Sequence, residues 1–230
     1  MFPLHVLYIR TLFVLFALFL CHTGWADTIV VLGYGKTGKG YAEKVYRALK
    51  PNEKLIIVDT NPERVEKAKE WSIGKTTERL FFKGSYKEIT EAEWADTVFV
   101  QELITENVKE KQTLIAGVLE KLEQQGKSDV VVASNTSSMP VILLAQSLPI
   151  RRRHQVAINH IYSPHGTVSE VGFFHILEPD DLIGTEGNLL DAETRRKVAL
   201  FTAITRQKVT IFNQRLNIAS IHLNNNPLLP

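Results

Sequence analysis

Cysteine is nearly absent from this 230-residue chain: Cys21 stands alone, which excludes an internal disulfide framework and any all-cysteine metal site. An excess of charge of either sign is missing too. Lys and Arg number 27 against 25 Asp and Glu, a formal charge of +2, so there is no electrostatic case for nucleic acid as a partner. The run Arg151-Arg152-Arg153 reads as a solvated loop ahead of a strand. No internal repeat or low-complexity tract is visible. An apolar share of 44% and a charged share of 23% are ordinary for a soluble α/β protein. The length suits one large domain with a proper core, or one domain plus a small appendage.

A long hydrophobic run is also lacking. The longest uninterrupted one, Leu12 to Cys21, falls short of the roughly 20 residues a membrane-spanning helix needs. With Arg10 before it and Gly24-Trp25-Ala26 after it, the segment 1–27 has the layout of a secretory signal peptide or short anchor. Such an anchor would contact a membrane through residues 1–21. The alternative is an upstream extension translated from a misplaced start, which would leave the protein cytoplasmic. The segment takes no part in the fold expected for residues 28–212, and residues 213–230, with Asn224-Asn225-Asn226, read as a truncated or disordered tail.

Between those ends, buried-strand patterns alternate with helical ones. Strands are expected at Thr28–Leu32, Lys54–Val58, Leu80–Phe82, Thr97–Val100, Val130–Ala133, Val156–Ile161, Phe173–Leu177 and Val209–Phe212. Helices are expected over 38–49, from Asn61-Pro62-Glu63 onward, over 106–125 ending at Gly126, and from Asp191 to about Arg206. This alternation predicts an α/β fold with a doubly wound, mostly parallel sheet.

Gly33-Tyr34-Gly35-Lys36-Thr37-Gly38 is a G-x-G-x-x-G sequence placed directly after the first strand and at the start of a helix. Its first glycine permits the tight turn. The second lets backbone approach a pyrophosphate, and the third lets helix and strand pack closely. The helix amino terminus adds N–H donors and a partial positive charge. Asp59 ends the second strand, where an acid hydrogen-bonds the adenosine ribose and repels a 2′-phosphate. The cofactor read from this Rossmann-type pattern is NAD, with Arg64 close enough to keep NADP open as an alternative.

Ala133-Ser-Asn-Thr-Ser-Ser-Met-Pro140, Val58-Asp-Thr-Asn-Pro-Glu-Arg64 and Glu106-Asn-Val-Lys-Glu-Lys111 are together similar to the signatures of the 3-hydroxyacyl-CoA dehydrogenase family, over roughly residues 28–178. The resemblance implies an NAD-dependent oxidation of 3-hydroxyacyl-CoA to 3-oxoacyl-CoA, with acyl-CoA as the partner molecule. His160, in Asn159-His160-Ile161-Tyr162-Ser163-Pro164, resembles the family's catalytic histidine, the base that takes the 3-hydroxyl proton. An imidazole titrates near neutral pH and can act as base in one direction and acid in the other. The carboxylate that supports this histidine in the family falls near position 172, here glycine. Glu170 is the nearest acid and the candidate partner. Ser137 resembles the serine that hydrogen-bonds the substrate oxygen, and Glu106 and Lys111 resemble residues on the nicotinamide half of the cofactor.

The chain also departs from the family's pattern. Ser163 replaces the usual asparagine that positions nicotinamide, and His165 and His175 match no family role. Family members continue into an all-helical domain that forms the dimer and closes over acyl-CoA. On this reading it is absent, to be supplied by a homo-oligomer or a partner chain. Asn213 and Asn217 are candidates for the family's second polar catalytic residue. Two other functions stay open: a non-catalytic NAD-binding remnant acting as an interaction module, and an NAD-linked oxidoreductase for another hydroxy acid. A secretory signal fits poorly with either enzyme, since secreted compartments hold little NAD.

Overall fold

A computed structural model describes residues 27–75, 77–161, 171–176 and 208–212. Eight strands form one sheet: β1 (Thr28–Leu32), β2 (Lys54–Val58), β3 (Leu80–Lys83), β4 (Thr97–Glu102), β5 (Val131–Ser134), β6 (Val156–Ile161), β7 (Val171–Ile176) and β8 (Lys208–Phe212). Their spatial order is β3-β2-β1-β4-β5-β6-β7-β8. The first six are parallel, and the β6–β7 pair is antiparallel. The connection from β1 runs outward to β2 and β3, then returns to β4 beside β1. That reversal opens a crevice at the carboxyl ends of β1 and β4, where doubly wound sheets bind ligands.

Among the described residues, five helices flank the sheet: α1 (Lys36–Ala48), α2 (Pro62–Ser72), α3 (Glu91–Ala95), α4 (Val108–Gln124) and α5 (Val141–Ala145). Because side chains alternate along a strand, each buried strand feeds two cores. Ile29 and Val31 pack with Leu55, Ile57 and Phe99 under Tyr41, Ala42 and Val45 of α1. Val30 and Leu32 pack with Ile56, Val100, Val132 and Val156 under Ile115, Val118 and Leu122 of α4. This is why the strands read as continuous apolar runs rather than alternating ones.

Local chemistry sets the helix ends. Asn61 accepts the Glu63 N–H at 2.9 Å and Pro62 takes the first turn of α2. Asn107 caps α4 by accepting the Glu110 N–H, so the helix begins at Val108. It stops at Gly126, whose φ of 69° suits the left-handed turn there. Thr90 and Glu93 form a reciprocal capping box on α3, with Glu93 accepting the Thr90 N–H at 2.7 Å. Thr90→Ala should lower stability by about 1 kcal/mol in a urea melt, since an N-cap hydroxyl contributes that much. A loss of several kcal/mol, or none, would contradict the assignment.

The arginine run is not a solvated loop. It forms a 3-10 turn over 150–155, in which Arg152 is buried and donates to the Leu119 carbonyl at 2.6 Å while pairing with Glu123. Arg151 pairs with the same carboxylate at 2.8 Å. The cations pin the end of α4 against the start of β6. Among the described residues, no helix is long and apolar enough to cross a membrane. The segments 1–26 and 213–230, and the helix expected from Asp191, lie outside the described residues.

Candidate dinucleotide and catalytic site

The turn from β1 into α1 is built by backbone. Gly33 has φ of 102° and donates its N–H to the Val58 carbonyl at 2.7 Å, and a Cβ there would lie 2.6 Å from the Leu103 carbonyl oxygen. A Cβ on Gly38 would lie 2.0 Å from the Gly33 oxygen, so the third glycine is what lets the helix sit on its own turn. Gly35 differs. The nearest atom to a Cβ there, its own chain neighbours and helix backbone aside, is Arg64 Nη1 at 3.9 Å, an ordinary contact with the end of a flexible side chain. Gly35 caps α1 without a side-chain hydrogen bond and no acidic residue occupies the first turn. The arrangement is a ready anion site at a helix amino terminus, with room for phosphates over Gly35.

Asp59 lies at the carboxyl end of β2 and is buried. Its Oδ2 accepts the Tyr34 N–H at 2.7 Å and its Oδ1 accepts the Asn61 N–H at 2.8 Å. One carboxylate therefore ties the glycine-rich turn to the turn that starts α2. This fixes Asp59 at the edge of the crevice where a ribose would meet it. The glycine cradle, the uncapped helix start and the anchored acid together fit NAD.

A second polar cluster gathers where β4 and β5 end. Lys111 of α4 is wholly buried, its Nζ donating to both oxygens of the equally buried Glu102 at 2.7 and 2.9 Å. Glu102 also accepts the Ile104 N–H and the Ser134 hydroxyl. Lys111 lies 3.6 Å from Glu106, which is 39% exposed. Glu106 Oε1 accepts from the Thr136 hydroxyl, the Ser138 hydroxyl at 2.9 Å and the Ser137 N–H at 3.3 Å. Burial pushes the Glu106 carboxyl up, but the hydrogen bonds from Thr136 and Ser138 and the Lys111 charge outweigh it and hold the group below its ordinary value. It is ionised at neutral pH. Burial is also the largest influence on Glu102 and raises it, against the pull of Lys111, Ser134 and Ile104.

Of the expected site residues, the structure brings Glu106, Lys111 and Ser137 into one cluster, with Ser137 exposed at its rim. Gly33, Gly35, Gly38 and Asp59 form the other. His160 is on β6, paired with Phe173 across the antiparallel step to β7. Glu170, Ser163, His165, Asn213 and Asn217 lie outside the described residues.

Sequence reasoning missed Glu102, the centre of the second cluster, and the clasp made by Thr136 and Ser138. The available signal was an acid closing an apolar strand nine residues before Lys111. It also missed a buried amide pair: Asn159 Nδ2 donates to Gln101 Oε1 at 2.7 Å, and Gln101 Nε2 donates to the Ala133 carbonyl at 3.0 Å.

Residues 28–172 match the family described as 3-hydroxyacyl-CoA dehydrogenase, NAD binding domain. Among solved structures, a 3-hydroxyacyl-CoA dehydrogenase from Archaeoglobus fulgidus is similar at TM-score 0.61 and 19% identity, covering 86% of this chain and 60% of its own. A prephenate dehydrogenase from A. aeolicus, in complex with hydroxyphenyl propionate and NAD+, is similar at TM-score 0.53 and 15% identity, covering 82% of this chain and 60% of its own. At those identities the likeness is one of fold, and this chain spans 60% of the length of each. No curated protein matches the sequence.

Proposed function

Because the chain belongs to the 3-hydroxyacyl-CoA dehydrogenase family through its NAD-binding domain, we propose that it oxidises a 3-hydroxyacyl-CoA to the 3-oxoacyl-CoA. Bound NAD supplies the hydride acceptor for carbon 3. His160 takes the hydroxyl proton onto its imidazole, so a hydride and a proton leave together as the carbonyl forms. Glu170 is the candidate to steady the resulting imidazolium. Ser137 offers a hydroxyl to the substrate oxygen.

The observation that carries this reading is the clasp of Glu106 on Thr136, Ser137 and Ser138. It fixes the loop after β5 at the carboxyl edge of the sheet, on the strand next to the one bearing His160. Lys111, buried behind Glu106, is a positioning residue that places a positive charge 3.6 Å from the carboxylate oxygen turned away from the loop.

The test is NADH consumption by the full chain with acetoacetyl-CoA, beside His160→Ala. Loss of a general base should lower turnover by about 10²- to 10⁴-fold while leaving NADH binding unchanged. No consumption by a folded chain that binds NADH would leave a cofactor-binding remnant. Equal turnover on hydroxy acids lacking CoA would point to a different substrate class.

A further inference from the structure

The first turn of α2 carries a cation that a ribose-binding Asp59 does not require. Arg64 Nη1 lies 3.5 Å from Asp59 Oδ2 and 3.9 Å from the point a Gly35 Cβ would occupy. The guanidinium thus stands between the acid at the ribose edge and the glycine over which phosphates would lie. The two partners differ in freedom. The Asp59 side chain is 5% exposed and strapped by two backbone N–H groups, whereas the Arg64 side chain is 51% exposed. A guanidinium has five N–H donors in a planar fork that matches phosphate. Its contact with Asp59 engages one nitrogen.

Asp59 alone would exclude a 2′-phosphate, since a like charge placed against a fixed one costs several kcal/mol. Arg64 offsets that charge, and a side chain half in solvent can turn from the carboxylate to an incoming phosphate without unfolding anything around it. We propose that Arg64 is a second specificity determinant, which lets this site accept a 2′-phosphorylated nicotinamide dinucleotide alongside NAD. The inference concerns binding only. It rests on the dinucleotide site and stands apart from the dehydrogenation reaction.

The experiment is calorimetric titration of the full chain with NAD and with NADP, for the parent, Arg64→Ala and Arg64→Lys. The parent should bind NADP within about thirtyfold of NAD, a gap of about 2 kcal/mol at 1.4 kcal/mol per tenfold. Arg64→Ala should shift the ratio of the two dissociation constants toward NAD by at least about fivefold, mostly through weaker NADP binding. Arg64→Lys, which keeps the charge but not the fork, should recover part of that shift. Because Arg64 is exposed, the alanine variant should keep the parent's melting temperature. A parent gap wider than about thirtyfold, or a smaller shift in the alanine variant, overturns the proposal while leaving the NAD site intact. Failure of the folded parent to bind NAD would overturn the site itself.

Discussion

Gly38→Ala should lower the stability of the fold by about 3 kcal/mol or more and abolish NAD binding, whereas Gly35→Ala should spare the fold and weaken only the cofactor. The added methyl at position 38 would sit 2.0 Å from the Gly33 carbonyl oxygen and 2.9 Å from its carbon. Both are backbone atoms, so no rotamer change relieves the clash. α1 would have to lift from the turn it caps, and overpacking of this kind costs 1–3 kcal/mol even where side chains can give. The shift would also move the N–H groups that face the phosphates. At position 35 the nearest atom is the far end of the flexible Arg64 side chain, 3.9 Å away, and φ is −70°. Alanine fits that backbone, and its cost as a cap relative to glycine is below about 1 kcal/mol. Its methyl would instead occupy the space a pyrophosphate needs. NAD affinity should fall roughly 10- to 100-fold, about 1.4–2.8 kcal/mol. Paired urea melts and NAD titrations separate the two effects. Equal destabilisation by both alanines would mean that the glycines serve packing alone, and that the open face over Gly35 is not a phosphate seat.

The same two positions show what the sequence could disclose. The order strand, glycine turn, helix, strand, acid is local, and each step has a residue type that only one backbone conformation or one contact explains. All eight expected strands are present: β1, β2 and β6 keep both ends, and the ends of the others move by one or two residues. One of the two-residue shifts is at β4, expected to stop at Val100, ahead of the polar Gln101 and Glu102. The strand continues because both side chains are satisfied by groups distant in sequence: Gln101 by Ala133 and Asn159, Glu102 by Lys111 and Ser134. Polarity marks a strand end only when water is the partner, and hydropathy does not report which partner a group finds. The short helices α3 and α5 were not expected for a related reason, since five residues do not complete enough turns to display a period.

Arg152 illustrates the limit for charge. Three successive arginines read as solvated, because long cations are seldom buried. Here the chain reverses so that the middle one meets the carbonyl end of α4, with the Leu119 carbonyl and Glu123 as partners. The candidate site divides along the same line. The glycines and Asp59 were legible because their roles depend on near neighbours in the chain. Glu106 and Lys111 emerged through family resemblance, yet the resemblance does not say that Lys111 is wholly buried, or that Glu106 is bonded to the loop after β5. Those facts depend on pairing between β4 and β5, which no short motif encodes.

Lys111→Met carries the other large expected effect, a loss of about 3–5 kcal/mol near neutral pH. Methionine keeps the length and apolar contacts of the stem but removes the ammonium that donates to both Glu102 oxygens. Glu102 would stay buried with its charge opposed only by the Ile104 N–H and the Ser134 hydroxyl. Removing one partner of a buried pair costs that range, because the remaining charge is uncompensated. Burial already raises the Glu102 carboxyl, and removing the opposing pull of Lys111 moves it further up. A carboxyl whose folded value exceeds its unfolded value contributes its stability at low pH, and that contribution is lost as pH rises through the folded value. The gap between parent and variant should therefore narrow as pH falls from about 8 to about 5, as protonation discharges the stranded group. Glu106 also loses the Lys111 charge in the variant, and because a depressed carboxyl contributes stability that is lost as pH falls, this narrows the gap in the same direction. Glu102→Gln combined with Lys111→Met should recover most of the loss, because the neutral amide oxygen, in the place of Oε1, can still accept from Ile104 while its NH2, in the place of Oε2, donates to the Ser134 hydroxyl. Urea melts of the four chains in this cycle at both pH values read the coupling directly. A constant gap across pH, or a double variant as unstable as Lys111→Met, would mean that the pair fills space rather than balances charge.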